Sequence, residues 1–175
     1  MRTRIILTVL GSDRPGLTQA LAEAVHAAGG NWLDSHLARL GGKYVGSVLV
    51  EIGEDRLGAL EGAVRGIDAS GLQVVIVPAG DAAFPGGEAI WVELVGQDRP
   101  GIVREVTAVL AGLGANIEQF TSRTENSAWS GEQLFRARIR LVPPAGMGWD
   151  QVREALEAIS GEIMVDLTFN PKVGT

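Results

Sequence analysis

The chain has 175 residues, a formal net charge of −6 and a pI near 4.9, with 46% apolar and 21% charged residues. That composition is globular rather than disordered, and its acidic balance disfavours direct contact with nucleic acid or an anionic membrane surface. Zero cysteines exclude disulfides, thiolate metal sites and a cysteine nucleophile; the two histidines, His26 and His36, lack metal-ligand spacing, so neither a metal nor a cofactor is expected.

From Met1 the chain passes Arg2 and Arg4 but reaches Thr8 and Gly11-Ser12-Asp13 too soon for the core of a signal peptide. No apolar run approaches membrane-spanning length, so a soluble cytoplasmic protein is expected. Residues 4–10 are apolar and β-rich and stop at Gly11, which predicts a strand. Pro15 stands where a first helical residue belongs, its fixed φ suited to a helix and its missing N–H not needed there. Leu17, Leu21, Ala24, Val25 and Ala28 mark one apolar helical face, and Gly29 ends the helix. His26 falls opposite that face and is expected to be exposed.

Residues 32–40 read as a second strand, Gly41-Gly42 as a tight turn and 44–52 as a third strand. Strand alternation puts Asp34 and His36 on one face and Ser35 on the other, which argues against a catalytic triad in Asp34-Ser35-His36. Tyr44 could belong to an RNA-binding sheet, but aromatics at 5% and the acidic charge speak against that. Leu57, Leu60, Val64 and Ile67 predict a second helix, and 72–77 a fourth strand. Residues 80–87, with Pro85 and flanking glycines, read as a linker between domains at 1–79 and 88–175.

The same order then recurs. Residues 89–95 form a strand stopping at Gly96, and Pro100 opens a helix with Ile102, Val106, Val109, Leu110 and Leu113 on its apolar face and Gly114 at its end. Residues 117–124 and 133–142 are strands joined by a polar loop, 125–132. Trp149, Val152, Leu156 and Ile159 give the last helix and 163–169 the last strand. Trp91, Trp129 and Trp149 are expected in packing or interfaces. At an offset of 85 residues, Ile5 to Asn31 aligns without a gap on Ile90 to Asn116, and eight of 27 pairs are identical. The identities crowd into two short loops while the helical faces keep only their pattern, as expected of two copies of one small domain. Each copy is βαββαβ, so the fold class is α+β: two tandem ferredoxin-like domains, each an antiparallel sheet with helices on one face. Runs such as Ile5-Ile6-Leu7 and Val74-Val75-Ile76-Val77 are apolar on successive residues. Docking of the two halves, or of two chains, is the expected cover for a second sheet face.

The repeated loop, Gly11-Ser12-Asp13-Arg14-Pro15-Gly16 and Gly96-Gln97-Asp98-Arg99-Pro100-Gly101, lies between a strand end and a helix start. Unpaired amides there face outward under the positive end of the helix dipole, a receptor for a carboxylate. Gly16 and Gly101 let a ligand approach the backbone. Asp13 and Asp98 either cap the helix or accept from an ammonium, and Asn31 and Asn116 at the second strand offer an amide that donates and accepts. A carboxylate receptor with an ammonium acceptor describes an α-amino acid. The competing reading is a well-formed helix start with no ligand, Asp as cap and Pro at the first helical position. Arg14 and Arg99 are most simply solvated. Because the first and second strands need not be neighbours, Asn31 and Asn116 could serve a site shared with the other copy.

Val9-Leu10-Gly11-x-Asp13-Arg14-Pro15-Gly16, Gly29-Gly30-Asn31 and Asp34-Ser35-His36-Leu37-Ala38-Arg39-Leu40-Gly41 together resemble the first half of the glycine cleavage system transcriptional repressor family, a tandem pair of ACT domains. Gly96-Gln97-Asp98-Arg99-Pro100-Gly101-Ile102-Val103, Ala115-Asn116-Ile117-Glu118 and Thr121-Ser122-Arg123-Thr124 resemble its second half. The resemblance implies a non-enzymatic regulator that senses a small amino acid, glycine first among the candidates, and acts on a partner transcription regulator rather than on DNA. It also implies a homo-oligomer, expected as a dimer, with ligand at the interface of paired domains. The matching positions are Gly11, Asp13, Arg14, Pro15, Gly16 and Asn31, and Gly96, Asp98, Arg99, Pro100, Gly101, Ile102 and Asn116. Trp32 departs from the commoner Asn-Ile pattern, so the second copy is the better candidate for binding. The same domain precedes the catalytic domain of formyltetrahydrofolate deformylase, a domain not expected in this chain. A small hydrolase using Asp34 and His36, and an interaction module with empty sites, are the alternatives.

Overall fold

The computed structural model describes residues 1–68, 71–80, 88–126, 131–159 and 163–168. The chain divides into two compact units, Met1–Ala82 and Ala83–Thr175. Most of the expected linker, the tip of the expected polar loop with Trp129, and Phe169 lie outside the described residues.

In the first unit the order is β1 (Arg2–Ser12), α1 (Leu17–Ala27), β2 (Asn31–Leu40), β3 (Lys43–Gly53), α2 (Leu57–Asp68) and β4 (Leu72–Pro78). The second repeats it with β5 (Ile90–Gln97), α3 (Ile102–Gly112), β6 (Asn116–Asn126), β7 (Gln133–Val142), α4 (Trp149–Glu157) and β8 (Met164–Thr168). The sheet orders are β2-β3-β1-β4 and β6-β7-β5-β8, and every pairing is antiparallel. A 3-10 turn, Glu54–Arg56, precedes α2 and was not expected from the sequence.

Alternation along the central strands sets the core. Ile5, Leu7 and Val9 of β1, with Val48, Val50 and Ile52 of β3, face α1 and α2 and pack on Leu17, Leu21, Leu60 and Val64. In the second unit Ile90, Val92 and Leu94, with Ala137, Ile139 and Leu141, pack on Ile102, Val106, Leu110, Val152 and Leu156. Each of these two cores is drawn from one unit alone. Tyr44 takes the helix-facing side of β3, where its hydroxyl lies 2.6 Å from that of Thr18 on α1. That position is unsuited to stacking a base on the open face of the sheet.

The helix starts differ from the expectation. Pro15 and Pro100 precede the helices, and the N-caps are Gly16 and Gly101, both left-handed, at φ 89° and 91° with ψ near zero. Pro followed by Gly with that φ and ψ is the signature of a type II turn. In the second unit the Ile102 amide closes the turn on the Arg99 carbonyl at 3.3 Å. Neither proline is the first helical residue, and neither Asp13 nor Asp98 is the cap. The helix ends match expectation: Gly29 donates to His26 and Gly30 to Val25, each at 2.9 Å, and Gly114 and Ala115 repeat the pattern on Ala111 and Leu110. These are Schellman caps.

Each outer strand carries one irregularity at the same place. The register of β2 shifts between Trp32 and Asp34, and that of β6 between Ile117 and Gln119. A bulge inserts a residue and increases local twist. Beyond it Asp34 pairs with Leu49 and His36 with Ser47, on the side of the sheet away from the helices, while Ser35 pairs with buried Val48.

Candidate functional site

The two repeated loops leave the core at a buried glycine and run outward. Gly11 and Gly96 are buried, and a Cβ on Gly11 would stand 2.6 Å from the carbonyl oxygen of Gly71, so Gly11 has a packing role. Pro15, Gly16, Pro100 and Gly101 are exposed, and a Cβ on Gly16 would meet open space. Ile102 is 4% exposed and anchors α3 in the core. The first helical hydrogen bonds run from Ala20 to Gly16 and from Glu105 to Gly101. By helix geometry the amides before them have no acceptor within the helix.

The asparagines do not join these loops within a unit. Asn116 pairs with Val142, beside the start of β5, whereas the loop leaves β5 after Gln97, which pairs with Leu134. The eight-residue strand separates the two by about 25 Å at ~3.3 Å per residue. Asn31, paired with Glu51, is displaced from Gly11 in the same way. What the structure does bring together is the loop after β5 with the far half of β6. Asp98, Arg99, Gly101 and Ile102 border an open cleft of about 300 Å³ with Ser122, Arg123, Thr124 and Phe135.

The two loops differ in how their charges are used. In the first unit Arg39 of β2 approaches the Asp13 carboxylate at 3.0 Å, and Lys43 donates to Ser12 at 3.4 Å. The residue 85 positions after Arg39 is Thr124, so a hydroxyl-bearing residue stands at that place in the second unit, with Arg123 next to it on the same cleft. Arg99 is not simply solvated: its guanidinium grips Glu105 through two hydrogen bonds of 2.8 and 2.5 Å. That fork holds the Glu105 carboxyl below its usual range, with desolvation opposing it. At the corresponding place in α1 stands Ala20, which cannot form such a fork.

The outer face of each unit is hollowed at equivalent positions. The first hollow, about 300 Å³, has Ile6 and Leu49 as its floor and Asp34, His36 and Ser47 at its rim. One Asp34 oxygen accepts from the amide of Ser35 at 2.7 Å. The second hollow, about 420 Å³, is lined by Trp91, Glu93, Gln119, Thr121, Arg136 and Arg138, among others. Arg138 stacks 4.2 Å from the centre of the Trp91 ring. Arg123 and Arg136 share Glu125 at 3.0 and 2.9 Å, which holds that carboxyl below its usual range, Arg136 being the larger cause. Sequence reasoning missed this face. The signal was Arg136, Arg138 and Arg140 at every second position of one strand. Among the described residues no cluster of three or more His, Asp or Glu is placed to hold a metal ion.

An ACT-domain family model matches residues 3–76 and a second matches residues 90–140. Among curated proteins, the glycine cleavage system transcriptional repressor of Escherichia coli (strain K12) is 24% identical over 169 residues, covering 95% of this chain and 88% of that protein. The Shigella flexneri protein of that name matches to the same extent. A solved structure of an unknown protein from Galdieria sulphuraria is 30% identical, with a TM-score of 0.77, and covers 95% of this chain and 98% of that one. A structure provisionally named a glycine cleavage system transcriptional repressor is 17% identical with a TM-score of 0.70, covers 97% of this chain and 99% of that one, and shares the fold.

Proposed function

Because the chain belongs to the ACT-domain family, as a tandem pair, we propose that it is a non-enzymatic regulator that binds a small α-amino acid and thereby alters its hold on a partner transcription regulator of amino-acid metabolism. Glycine is the first candidate effector, in line with the similarity to proteins named for repression of the glycine cleavage system. The acidic charge favours action on a protein rather than on DNA. No described helix is long and apolar enough to cross a membrane, in keeping with a cytoplasmic setting.

The observation that carries the ligand reading is the cleft of the second loop, where Asp98 and the α3 amides open beside Arg123 and Thr124, and where Asp98 makes no ion pair among the described residues whereas Asp13 is paired with Arg39. Since Asn116 stands at the other end of its sheet, a site combining loop and asparagine needs two copies of the fold. A homodimer supplies them, and the binding residues on this reading are those of the two loops with Asn31 and Asn116.

Thermal unfolding of the full chain against a panel of amino acids tests the reading. A ligand at 100 times its Kd stabilises by about 2.7 kcal/mol, several degrees at this size. The rise should be selective for one amino acid and should weaken in Asp98→Asn and Asn116→Ala. A second reading, an interaction module without a ligand, is favoured by the closed Asp13–Arg39 pair and by the separation of loop and asparagine. Alanine at Asp98 and Asn116 would then leave partner binding and its response to metabolites unchanged.

A further inference from the structure

The loop site needs two units, but the outer hollow of the second unit is complete within one. We propose that this hollow, between Trp91, Glu93, Arg136 and Arg138, is a separate binding site for an α-amino acid, holding its carboxylate on the arginines and its ammonium on Glu93. The inference deepens the amino-acid reading above and depends on it.

Three observations converge. First, the hollow of about 420 Å³ lies within the size range of small-molecule sites and has an aromatic wall, Trp91, beside polar Gln119 and Thr121. Second, its charges are incompletely matched: Arg123 and Arg136 divide one carboxylate, Glu125, between them. Arg138 and Glu93, paired directly in register, stand 3.6 Å apart, too far for a hydrogen bond. An open ion pair of that kind receives a zwitterion, whose carboxylate completes the arginine fork and whose ammonium completes the glutamate. Third, stacking on Trp91 holds the Arg138 guanidinium in place before a ligand arrives, which lowers the ordering cost of binding. The equivalent hollow of the first unit has Ile6 for Trp91 and Ser47 for Arg138, so it lacks the carboxylate fork.

Calorimetric titration of the full chain with each amino acid, and with acetate as a plain carboxylate, tests the assignment. The expected result is binding of an amino acid that weakens about tenfold to a hundredfold in Glu93→Gln and in Arg138→Gln, the loss of one charged hydrogen bond in each. Thr121→Phe, which fills the hollow and leaves its charges alone, should abolish it. Binding at the hollow should persist in Asp34→Asn, on the other hollow. Ligand-free melting temperatures equal to that of the parent confirm that the variants fold. If binding disappears in Asn116→Ala yet survives in Glu93→Gln, Arg138→Gln and Thr121→Phe, the hollow is not the site and the regulator reading stands. Acetate binding as tightly as the amino acid, with Glu93→Gln silent, overturns the zwitterion assignment. If no amino acid binds the parent chain, both readings fall together.

Discussion

The type II turns of the two units agree to within a few degrees at Gly16 and Gly101, whereas the outer faces of the two sheets differ at most of their positions. On the first unit that face carries Leu10, Leu40 and Val75, which are 49%, 72% and 57% exposed, and one charged cluster in which Arg2 and Arg4 approach Glu51. On the second it carries Arg123, Arg136, Arg138 and Arg140, engaged by Glu125, Glu93 and Glu118. The turn is held by backbone geometry that few residues satisfy, so it persists through divergence. The outer face contributes little to either core, so it is free to specialise. Retention of the Asp-Arg-Pro-Gly loop is therefore partly structural, and divergence of the outer face is where distinct binding chemistry resides.

The comparison breaks most visibly in the cores. Leu21 and Leu110 are both fully buried on the first helix of their units. Leu21→Ala and Leu110→Ala should each cost about 2–5 kcal/mol, read from denaturant midpoints. Because each core belongs to one unit, amide exchange should quicken first in the unit that carries the change. Next comes a site where the units already differ. Gly46 pairs with Val9, and Ala137 occupies the corresponding place opposite Leu94. At Gly46 φ is 150° and an added Cβ would fall 1.9 Å from the His36 carbonyl oxygen, inside the β2–β3 ladder. Gly46→Ala should therefore cost about 2–4 kcal/mol, from strain and overpacking together, although its counterpart holds alanine in the core. Gly16→Ala and Gly101→Ala sharpen the agreement instead. Both force alanine into the left-handed region and should cost about 1–2 kcal/mol each, equally in the two units. A clear inequality would mean that the turns are not equivalent.

What could be read from the sequence follows from the range over which each feature is encoded. The eight strands and four helices were legible because polar and apolar residues repeat with periods of two and 3.6, and the duplication confirmed each element by its copy. The helix ends at Gly29 and Gly114 were legible because the Schellman cap is local. Pro15 and Pro100 were misplaced by two positions because proline fits both a first helical position and the second position of a type II turn. The following glycine was the deciding signal. The separation of Asn116 from its loop was not legible, since strand order is set by pairings between distant residues. For the same reason the contact of Arg39 with Asp13 and the register that sets Arg138 beside Glu93 emerge only when the sheets assemble. The bulges between Trp32 and Asp34 and between Ile117 and Gln119 leave no mark in the alternation short enough to read.

The smallest expected effect separates the units by charge. Among the described residues the two carboxyls held below their usual range, Glu105 and Glu125, both lie in the second unit and both owe their position to arginines, Arg99 for one and Arg136 with Arg123 for the other. A carboxyl whose folded pKa is depressed stabilises the fold fully above its unfolded value, about 4.3 for glutamate. That contribution is lost as the pH falls through the lower, folded value. Acid should therefore remove an increment of stability from the second unit below about pH 4.3, while neutral and alkaline solutions leave it intact. Both groups are accessible to solvent, so the increment is small and sensitive to salt. Carbon-detected NMR titration of the glutamates should find these two with low midpoints. Arg99→Met should return Glu105 toward the ordinary range and leave Glu125 where it was, and Arg136→Met should do the reverse. If the two midpoints moved together in either variant, the turn at Arg99 and the arginine face of the sheet would be electrostatically one site. The loop and the hollow would then have to be treated as a single receptor.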